Sequence, residues 1–291
     1  MRIVILGANG QLGTALREIL TDAVALSHAE LDITDEIGVR QRLGELTPQV
    51  VINTAAYNWV DRAEEEPEPC FAVNAFGPRT LARACAERGI TLVHFSTDYV
   101  FGRDTSRTTP YQENDIAGPL GVYGTSKLAG EKFVQAICPQ HYVLRTCGLY
   151  GWSTASGKQN FVEKMLALGE QRGEVSVVND QTCTPTFTCD LARAVADLLP
   201  TGQYGLYHVT NTGAATWYEF ACEIFRLAGR PVHVRPVGSH EFATAAQRPG
   251  YSVLDTGKIT ATLGRPLPEW RDALARYLQN RQLPGHRCSA T

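Results

Sequence analysis

The chain has 291 residues, of which 44% are hydrophobic and 20% are charged, and its formal net charge is -3. This composition is typical of a globular protein with one large or two modest domains. The small charge creates no field that would attract nucleic acid or an anionic membrane, and no apolar run approaches the length of a membrane span. The sequence therefore predicts a compact cytoplasmic protein with neither a nucleic-acid nor a membrane partner.

The chain opens on a strand, a glycine-rich turn and a helix. Residues 2–7 form a short apolar, β-branched run that is typical of a buried strand, and we expect no signal peptide before it. Gly7, Gly10 and Gly13 follow with G-x-x-G-x-x-G spacing, and an apolar helical face comes next. This arrangement directs backbone N–H groups and a helix N-terminus towards a pyrophosphate. It therefore indicates a dinucleotide site.

Strand and helix patterns alternate through the first half, which is typical of a parallel sheet covered by helices on both faces. We expect an α/β fold with a doubly wound, Rossmann-like sheet whose ligand crevice lies at the carboxyl ends of its strands. The further predicted strands are 24–26, 50–53, 91–96 and 141–145, and the predicted helices are one capped within 32–35 and ending at Leu46, one over about 69–88 with a cap at Gly89, and one beginning at Tyr123.

The alternation loosens after Tyr150. We expect residues 1–150 to form the dinucleotide-binding domain and residues 151–291 to form a smaller mixed α/β substrate lobe that can return strands to the first domain. The tail 284–291 is predicted to be disordered. The predicted elements of this half are helices over 158–169, 190–199, 216–229 and 267–279, with a capping box at Thr216, and strands over 175–178 and 232–235.

The eight cysteines are scattered without a C-x-x-C pair. We interpret them as reduced thiols that mostly fill the core. The seven histidines show no ligand spacing, so we predict no metal site.

Tyr123 and Lys127 stand four residues apart, so a helix places the phenol and the ammonium on one face. A cation beside a phenol stabilises the phenolate and lowers the pKa of the phenol. The spacing thus predicts an acid/base group that works near neutral pH. The motif alone is weak, and its weight comes from the glycine turn that precedes it.

Three segments converge at one edge of the predicted sheet. Ala55 and Ala56 follow one strand, Thr97 follows the next, and the helix of Tyr123 and Lys127 comes after them. Together they fit hydride transfer between a nicotinamide and a carbonyl carbon. Tyr123 would protonate the oxygen, Lys127 would tune Tyr123 and hold the ribose, and Thr97 would polarise the carbonyl.

These motifs resemble those of an extended short-chain dehydrogenase/reductase. Further segments resemble the dTDP-4-dehydrorhamnose reductase family, and together they extend from residue 1 to about residue 280. The matching segments are 10–13, 31–35, 53–57 with 60–61 and 63–64, 96–101, 123–131, 180–181 with 185–186, 205–208, and 248–249 with 251–252.

The resemblance implies reduction of the C4 ketone of dTDP-4-dehydro-L-rhamnose to dTDP-L-rhamnose, a polysaccharide precursor, by NADPH or NADH. It implies the catalytic roles given above for Thr97, Tyr123 and Lys127, with Tyr123 and Lys127 also contacting the cofactor. Asp98 and Tyr99 would face the sugar together with Thr97. The other implied cofactor contacts are Gly7, Gly10, Gln11, Leu12 and Gly13 near the pyrophosphate, Asp32 and Ile33 near the adenine, and Ala55 and Ala56 along the cleft.

The sequence departs from the family pattern at three positions. A tryptophan that lines the sugar site in relatives is Gly148 here, with Trp152 as a nearby substitute, so we expect weaker discrimination between hexoses. Cys183 replaces a glycine, so its loop is expected to lie differently. An acidic residue that holds a metal between subunits in some relatives is Ala15 here. We predict no metal-bridged dimer, although a homodimer of another kind is compatible with the sequence.

The cofactor preference is read at the end of the second strand. A carboxylate there would bind a ribose 2′-hydroxyl and repel a 2′-phosphate. Ser27 and His28 stand at that point, and Glu30 lies slightly further on. The sequence therefore favours NADPH, with NADH as the alternative.

Two other functions remain open. The first is another nucleotide-sugar enzyme on the same scaffold, either a different 4-ketoreductase or an epimerase that retains NAD. The second is a non-catalytic dinucleotide-binding regulatory subunit, for which the resemblance provides a precedent. The presence of Thr97, Tyr123 and Lys127 argues against the second function, because a binding module needs no acid/base pair.

Overall fold

The computed structural model describes residues 1–154, 159–242, 244–281 and 288. In the first half, strands and helices alternate as predicted. Its elements are β1 (Ile3–Leu6), α1 (Gln11–Ile19), β2 (Val24–Leu26), α2 (Glu36–Leu46), β3 (Val50–Asn53), α3 (Val60–Glu65), α4 (Pro67–Phe71), a π-helical turn (Ala72–Phe76), α5 (Gly77–Ala86), β4 (Thr91–Thr97), a 3-10 turn (Asp98–Val100), α6 (Val122–Ile137) and β5 (His141–Thr146).

The second half contains shorter elements, and the predicted helices and strands are present with ends shifted by a few residues. The predicted disordered tail lies outside the described residues except for residue 288, as does the predicted helix start at 158. The elements are β6 (Leu149–Tyr150), α7 (Phe161–Gln171), β7 (Glu174–Val178), β8 (Thr182–Cys183), β9 (Thr186–Phe187), α8 (Thr188–Leu198), a 3-10 turn (Leu199–Thr201), β10 (Gly205–His208), β11 (Ala215–Thr216), α9 (Trp217–Leu227), β12 (His233–Val237), a 3-10 turn (Ser239–Glu241), α10 (Gly257–Leu263) and α11 (Trp270–Asn280).

The central sheet has six strands in the order β2-β1-β3-β4-β5-β10, and every neighbouring pair is parallel. The prediction of a doubly wound, Rossmann-like sheet is confirmed. The chain reverses direction across the sheet between β1 and β3, and a ligand crevice forms beyond the carboxyl ends of the strands at such a point.

Both faces of the sheet are buried, as a parallel sheet requires. In β1, Ile3 and Ile5 point into the core on the side of α1, α8 and α11, whereas Val4 and Leu6 point into the core beneath α2 and α5. Successive residues of a strand point to opposite faces, so a continuous apolar run serves both cores.

The strand β10 belongs to the second half of the chain but completes the central sheet. It pairs with β5 over residues 205–208, and α8 packs against α1. The proposed division at residue 150 therefore separates segments that share one sheet, and it stays a prediction.

The predicted helix over about 69–88 is present as one unbroken run over residues 67–86, and it contains a π-helical turn that was not predicted. The helix starts earlier, at Pro67, passes through the π-helical turn and ends as α5 at Ala86. Gly89 has a left-handed φ of +64°, but it lies beyond the end of the helix. A single inserted residue causes a π-helical turn, and apolar periodicity does not reveal it.

Two predicted helix starts are confirmed by their caps. The Asp35 carboxylate accepts bonds from the backbone N–H groups of Ile37 and Gly38 at the start of α2, each at 3.1 Å. At α9, Thr216 and Glu219 form the full capping box. Such caps satisfy N–H groups that have no partner within the helix.

The prediction of eight reduced thiols is wrong at two positions, because a disulfide joins Cys189 in α8 to Cys288. The other cysteines are free thiols, and all of them except Cys222 are buried. The two partners are 99 residues apart. Such a separation carries no signal in the sequence, so the pair could not be predicted.

None of the helices within the described ranges is long and apolar enough to cross a bilayer.

Candidate active site

A cleft of about 370 Å³ opens at the carboxyl ends of β1, β3, β4 and β5. It contains most of the residues that the sequence analysis selected. The predicted residues that line it are Gly10, Gln11, Leu12, Gly13, Ala55, Ala56, Thr97, Asp98, Tyr123 and Lys127.

The glycine turn requires glycine at two of its positions, because a side chain at either one would collide with the neighbouring backbone. Gly7 has φ +74°, and a Cβ there would lie 2.7 Å from the backbone N of Ala55. A Cβ on Gly13 would lie 2.7 Å from the Cα of Ala8. The Thr54 hydroxyl donates to the carbonyls of Leu6 and Gly7 at 2.7 and 3.1 Å. The turn is thus fixed to β3, and α1 starts at the edge of the cleft.

Several polar groups at this end of the cleft suit a bound ligand. Gly10 caps α1 without a side-chain hydrogen bond, so the first N–H groups of the helix are available to an anion. Gln11 Oε1, Ser96 Oγ and Thr146 Oγ1 are buried and have no hydrogen-bond partner within the described part of the chain. Buried polar groups normally have partners, so these atoms fit a cofactor that bonds to them.

The Lys127 ammonium is buried on the inward face of α6. Its Nζ donates to the carbonyl of Phe95 at 2.6 Å. Burial lowers the pKa of Lys127 to about 8, and the nearby Glu131 carboxylate opposes that shift. Lys127 is therefore mostly charged at neutral pH and can donate to a sugar hydroxyl.

Tyr123 lies one helical turn before Lys127. Its hydroxyl donates a long bond to Asn58 Oδ1 at 3.5 Å, and Thr97 lines the same cleft. Burial raises the pKa of Tyr123. The prediction that this pKa lies below its usual value is therefore wrong, because the expectation left out burial. At neutral pH the phenol is protonated, which is the form that donates a proton.

The π-helical turn holds α6 in place. Asn74 accepts from the N–H of Tyr57 at 2.9 Å and donates to the Tyr57 carbonyl at 3.0 Å. It also donates to Ser126 Oγ at 3.1 Å, and Ser126 donates to the carbonyl of Tyr123 at 2.8 Å. The turn thus connects the loop after β3 to the helix that carries Tyr123. Irregular helical turns of this kind are frequent at functional sites.

A second chamber of about 310 Å³ continues the cleft past Tyr123. Tyr99 forms part of its wall and meets the Tyr123 ring edge-on, with 5.8 Å between centroids. Gly148, Cys183 and Trp217 also line it. This chamber is large enough for part of a sugar nucleotide and shares Thr97 and Tyr123 with the first.

Trp152 does not take the place of the missing family tryptophan. Its ring packs on Tyr277 and Phe187, with centroids 4.9 and 5.5 Å apart, in the core. The aromatic wall of the second chamber comes instead from Trp217, the first residue of α9. The expectation for Trp152 followed from its nearness in sequence, but its ring packs in the core and does not line the second chamber.

Gly148 cannot accept a side chain without strain, because its φ is +54° and a Cβ would lie 3.2 Å from Pro185 Cα. We expect Gly148→Ala to lower the free energy of unfolding by about 1–2 kcal/mol. Gly44→Ala is the control, since Gly44 lies in α2 with no atom near its Cβ position, and it should be neutral or stabilising. Urea unfolding measures both, and equal effects would contradict the prediction.

Three predicted cofactor residues do not line the cleft. The α-carbon of Gly7 faces the backbone of Thr54 and Ala55, and Ile33 is buried with its side chain against Gly77. Asp32 lies in a separate depression beside His28 and accepts from Thr34 N and Oγ1 at 2.9 and 2.8 Å. Their cofactor contacts stay predictions.

A carboxylate does lie at the end of β2. Glu30 Oε2 accepts from the backbone N and the hydroxyl of Ser27, both at 2.7 Å. The bond from Ser27 lowers the pKa of Glu30, so the group is ionised. The sequence analysis placed Glu30 beyond the strand end. In the folded chain, a turn after β2 brings its carboxylate back to Ser27.

Sequence reasoning missed several functional contacts. Asn58 and the Phe95 carbonyl contact Tyr123 and Lys127, and Cys147 and Ser252 both donate to Asp98. Ser252 lies 154 residues from Asp98. Only the tertiary fold reveals such a contact. Ser252 and Cys147 both lie in or beside motifs that the resemblance had selected.

Fold and site together define an extended short-chain dehydrogenase/reductase. The family model described as "RmlD substrate binding domain" matches residues 1–283. A dTDP-4-dehydrorhamnose reductase of Streptomyces griseus is 44% identical over 94% of this chain and 91% of its own length. The chain therefore belongs to the dTDP-4-dehydrorhamnose reductase family.

Solved structures show the same relationship. A dTDP-4-dehydrorhamnose reductase of Clostridium acetobutylicum is 41% identical, with a TM-score of 0.92 over 97% of this chain and 100% of its own. A dTDP-4-dehydrorhamnose reductase of Bacillus anthracis in complex with NADP is also 41% identical, with a TM-score of 0.90 over 96% of this chain and 98% of its own.

Proposed function

We propose that this protein reduces the C4 ketone of dTDP-4-dehydro-L-rhamnose to give dTDP-L-rhamnose, with NADPH as the reductant. The observation that carries the proposal is that Thr97, Tyr123 and Lys127 lie in one cleft with the glycine turn. A binding module has no need for a protonated phenol and a buried ammonium beside a dinucleotide site. The names of the relatives support the substrate class.

The residues present fit the cofactor. The N–H groups at the start of α1 would hold the pyrophosphate, and Gln11 Oε1, Ser96 Oγ and Thr146 Oγ1 have free bonding capacity. Lys127 would hold the ribose. When bound, NADPH would supply the hydride for the ketone carbon.

The relative crystallised with NADP supports NADPH, and Glu30 at the end of β2 favours acceptance of NADH as well.

Side chains of the protein carry out the proton transfer to the ketone oxygen. Tyr123 is protonated at neutral pH because burial raises its pKa, so it can protonate the ketone oxygen as negative charge develops there. The ammonium of Lys127 lies one helical turn away and is charged when the phenol loses its proton. Burial of both groups strengthens these interactions.

The test is consumption of reduced nicotinamide by the purified protein with enzymatically generated dTDP-4-dehydro-L-rhamnose. Separate reactions without sugar and with NADH are the controls. Rapid sugar-dependent oxidation of NADPH is expected, with slower oxidation of NADH. Bound NADPH without sugar-dependent oxidation would contradict the proposal and favour a regulatory subunit. Interconversion of sugars without net oxidation would favour an epimerase.

A second candidate is a 4-ketoreductase for another dTDP-hexose. It is favoured by Gly148, which leaves the sugar chamber without the tryptophan that the resemblance leads one to expect. Parallel assays with dTDP-4-keto-6-deoxy-D-glucose compare kcat/KM for the two sugars. A higher value for this second sugar would favour the second candidate.

The pKa of Lys127 predicts a pH dependence of cofactor binding. Burial lowers this pKa to about 8, so the ammonium is present below that pH and lost above it. If the ammonium holds the ribose, the Kd for NADPH in the free enzyme should rise above pH 8, approaching about tenfold per pH unit. Fluorescence titration measures it.

The exposed Lys132 provides the matched control for this prediction. Lys132→Met should keep the rise in Kd, and Lys127→Met should bind weakly with little dependence on pH. A Kd for the unaltered enzyme that stays constant up to pH 10 would show that Lys127 does not hold the cofactor.

We also propose that the protein forms a homodimer and that it is located in the cytoplasm. Light scattering of the purified protein tests the first, and cell fractionation tests the second.

A further inference from the structure

Asp98 is a buried carboxylate beside the catalytic residues, with 3% of its surface exposed. Its Oδ1 accepts from Thr97 Oγ1 at 3.1 Å, and its Oδ2 accepts from Cys147 Sγ at 3.0 Å and from Ser252 Oγ at 2.6 Å. Among the described residues, no cation bonds to it. Burying a carboxylate without a counter-ion costs folding free energy, so the presence of Asp98 at this position indicates a functional role.

The three donors to Asp98 come from distant parts of the chain. Thr97 ends β4, Cys147 follows β5, and Ser252 lies in the segment before α10. Burial raises the pKa of Asp98, and the three donors oppose that shift. Each oxygen of Asp98 thus accepts at least one hydrogen bond from the protein itself.

The bond to Asp98 determines the orientation of the Thr97 hydroxyl. A hydroxyl has one proton and two lone pairs. The proton of Thr97 points to Asp98, and one lone pair accepts from the backbone N–H of Tyr99 at 3.2 Å. These bonds hold the Thr97 oxygen at the wall of the cleft that Tyr123 also lines, and the phenol proton itself is directed to Asn58 Oδ1.

We propose that Asp98 is a positioning residue that fixes the Thr97 hydroxyl in the cleft that also contains the Tyr123 phenol, and that Cys147 and Ser252 hold the Asp98 carboxylate in place. This inference rests on the proposed function. It changes the implied role of Asp98 from a sugar contact to a support for Thr97.

Cys147 is the weakest of these supports. A thiol is a poorer hydrogen-bond donor than a hydroxyl. Burial and a contact with the Cys183 thiol both raise the pKa of Cys147, so it stays a protonated donor. A serine in its place would keep the bond to Asp98, whereas an alanine would remove it.

The first test compares variants of Asp98 in the full-length enzyme. Asp98→Ala should lower kcat by about 10- to 100-fold, with the KM for sugar and the Kd for NADPH changed by less than about threefold. Asp98→Asn should lose less, because its amide oxygen can still accept from Thr97. Asp104→Asn, in an exposed loop where the carboxylate accepts from Ser106, is the control and should leave kcat unchanged. A raised KM with kcat retained would make Asp98 a sugar ligand and overturn the proposal.

The second test uses Cys147 and does not require a large perturbation. Cys147→Ala should lower kcat, and Cys147→Ser should have a kcat at least about fivefold above that of the alanine variant. A structural role alone would change the thermal stability of both variants and leave kcat the same in each. Equal kcat values would therefore contradict the role of Cys147.

The third test separates this inference from the proposed function. In a double-mutant cycle, Thr97→Val combined with Asp98→Ala should be no slower than the slower single variant, because both remove the same hydrogen bond. If the unaltered enzyme reduces none of the dTDP-4-keto sugars, the proposed function fails, but the same cycle is measurable in unfolding free energies. Non-additive values support the coupling of Thr97 to Asp98, and additive values overturn it.

Discussion

Tyr123→Phe should lower kcat by about 10²–10⁴-fold while the Kd for NADPH changes by less than about twofold. The phenyl ring keeps the edge-on contact with Tyr99, so the local packing is preserved. Only the hydroxyl is lost, and with it the proton donor beside Thr97. Steady-state kinetics and a fluorescence titration of NADPH measure the two quantities separately.

Two comparisons make this result specific. Tyr204→Phe, in an exposed tyrosine at the opposite end of the sheet, should leave both quantities unchanged. Lys127→Met should lower kcat and also raise the Kd, because the same ammonium would hold the ribose. Near-normal kcat in Tyr123→Phe would show that another group donates the proton.

Arg145→Met should lower the free energy of unfolding by about 3–5 kcal/mol. Arg145 in β5 bonds Glu131 in α6 through two hydrogen bonds of 2.9 and 2.8 Å, and both side chains are almost fully buried. Loss of the guanidinium leaves a buried carboxylate without its partner. Urea unfolding measures the change.

A surface ion pair provides the comparison. Arg230 bonds Glu170 at 2.9 Å, with about half of each side chain exposed. Arg230→Met should cost less than about 1 kcal/mol. In addition, Glu131→Leu combined with Arg145→Met should recover part of the stability lost in the single variant, because no charge is then left buried. A similar small loss for Arg145→Met would mean that water reaches Glu131.

Long elements with a clear apolar period were predictable from the sequence. The strands Val50–Asn53 and Val24–Leu26 have the predicted ends, and Asp35 and Thr216 cap helices as expected. The two-residue strands were not predictable, because Leu149–Tyr150 is too short to show a period. The π-helical turn depends on one inserted residue, and the disulfide depends on the pairing of two distant cysteines. Neither leaves a periodic pattern in the sequence, so neither was predictable.

The residues that line the cleft were predictable from the sequence, but their protonation states and hydrogen bonds were not. Spacing and strand ends brought Thr97, Tyr123 and Lys127 to one place, and the structure has them there. The direction of the pKa shift of Tyr123 was missed because it depends on how deeply the folded chain covers the phenol. Asp98 was selected as a sugar contact, and its three donors became visible only in three dimensions.

The origin of β10 in the second half of the chain has a kinetic consequence. During synthesis, the β5 edge has no partner until residues 205–208 have left the ribosome. An unpaired edge of a parallel sheet is a template for pairing with other chains. A nascent chain stalled shortly after residue 150 should therefore be prone to aggregation and should bind chaperones, whereas one released after residue 210 can close its own sheet.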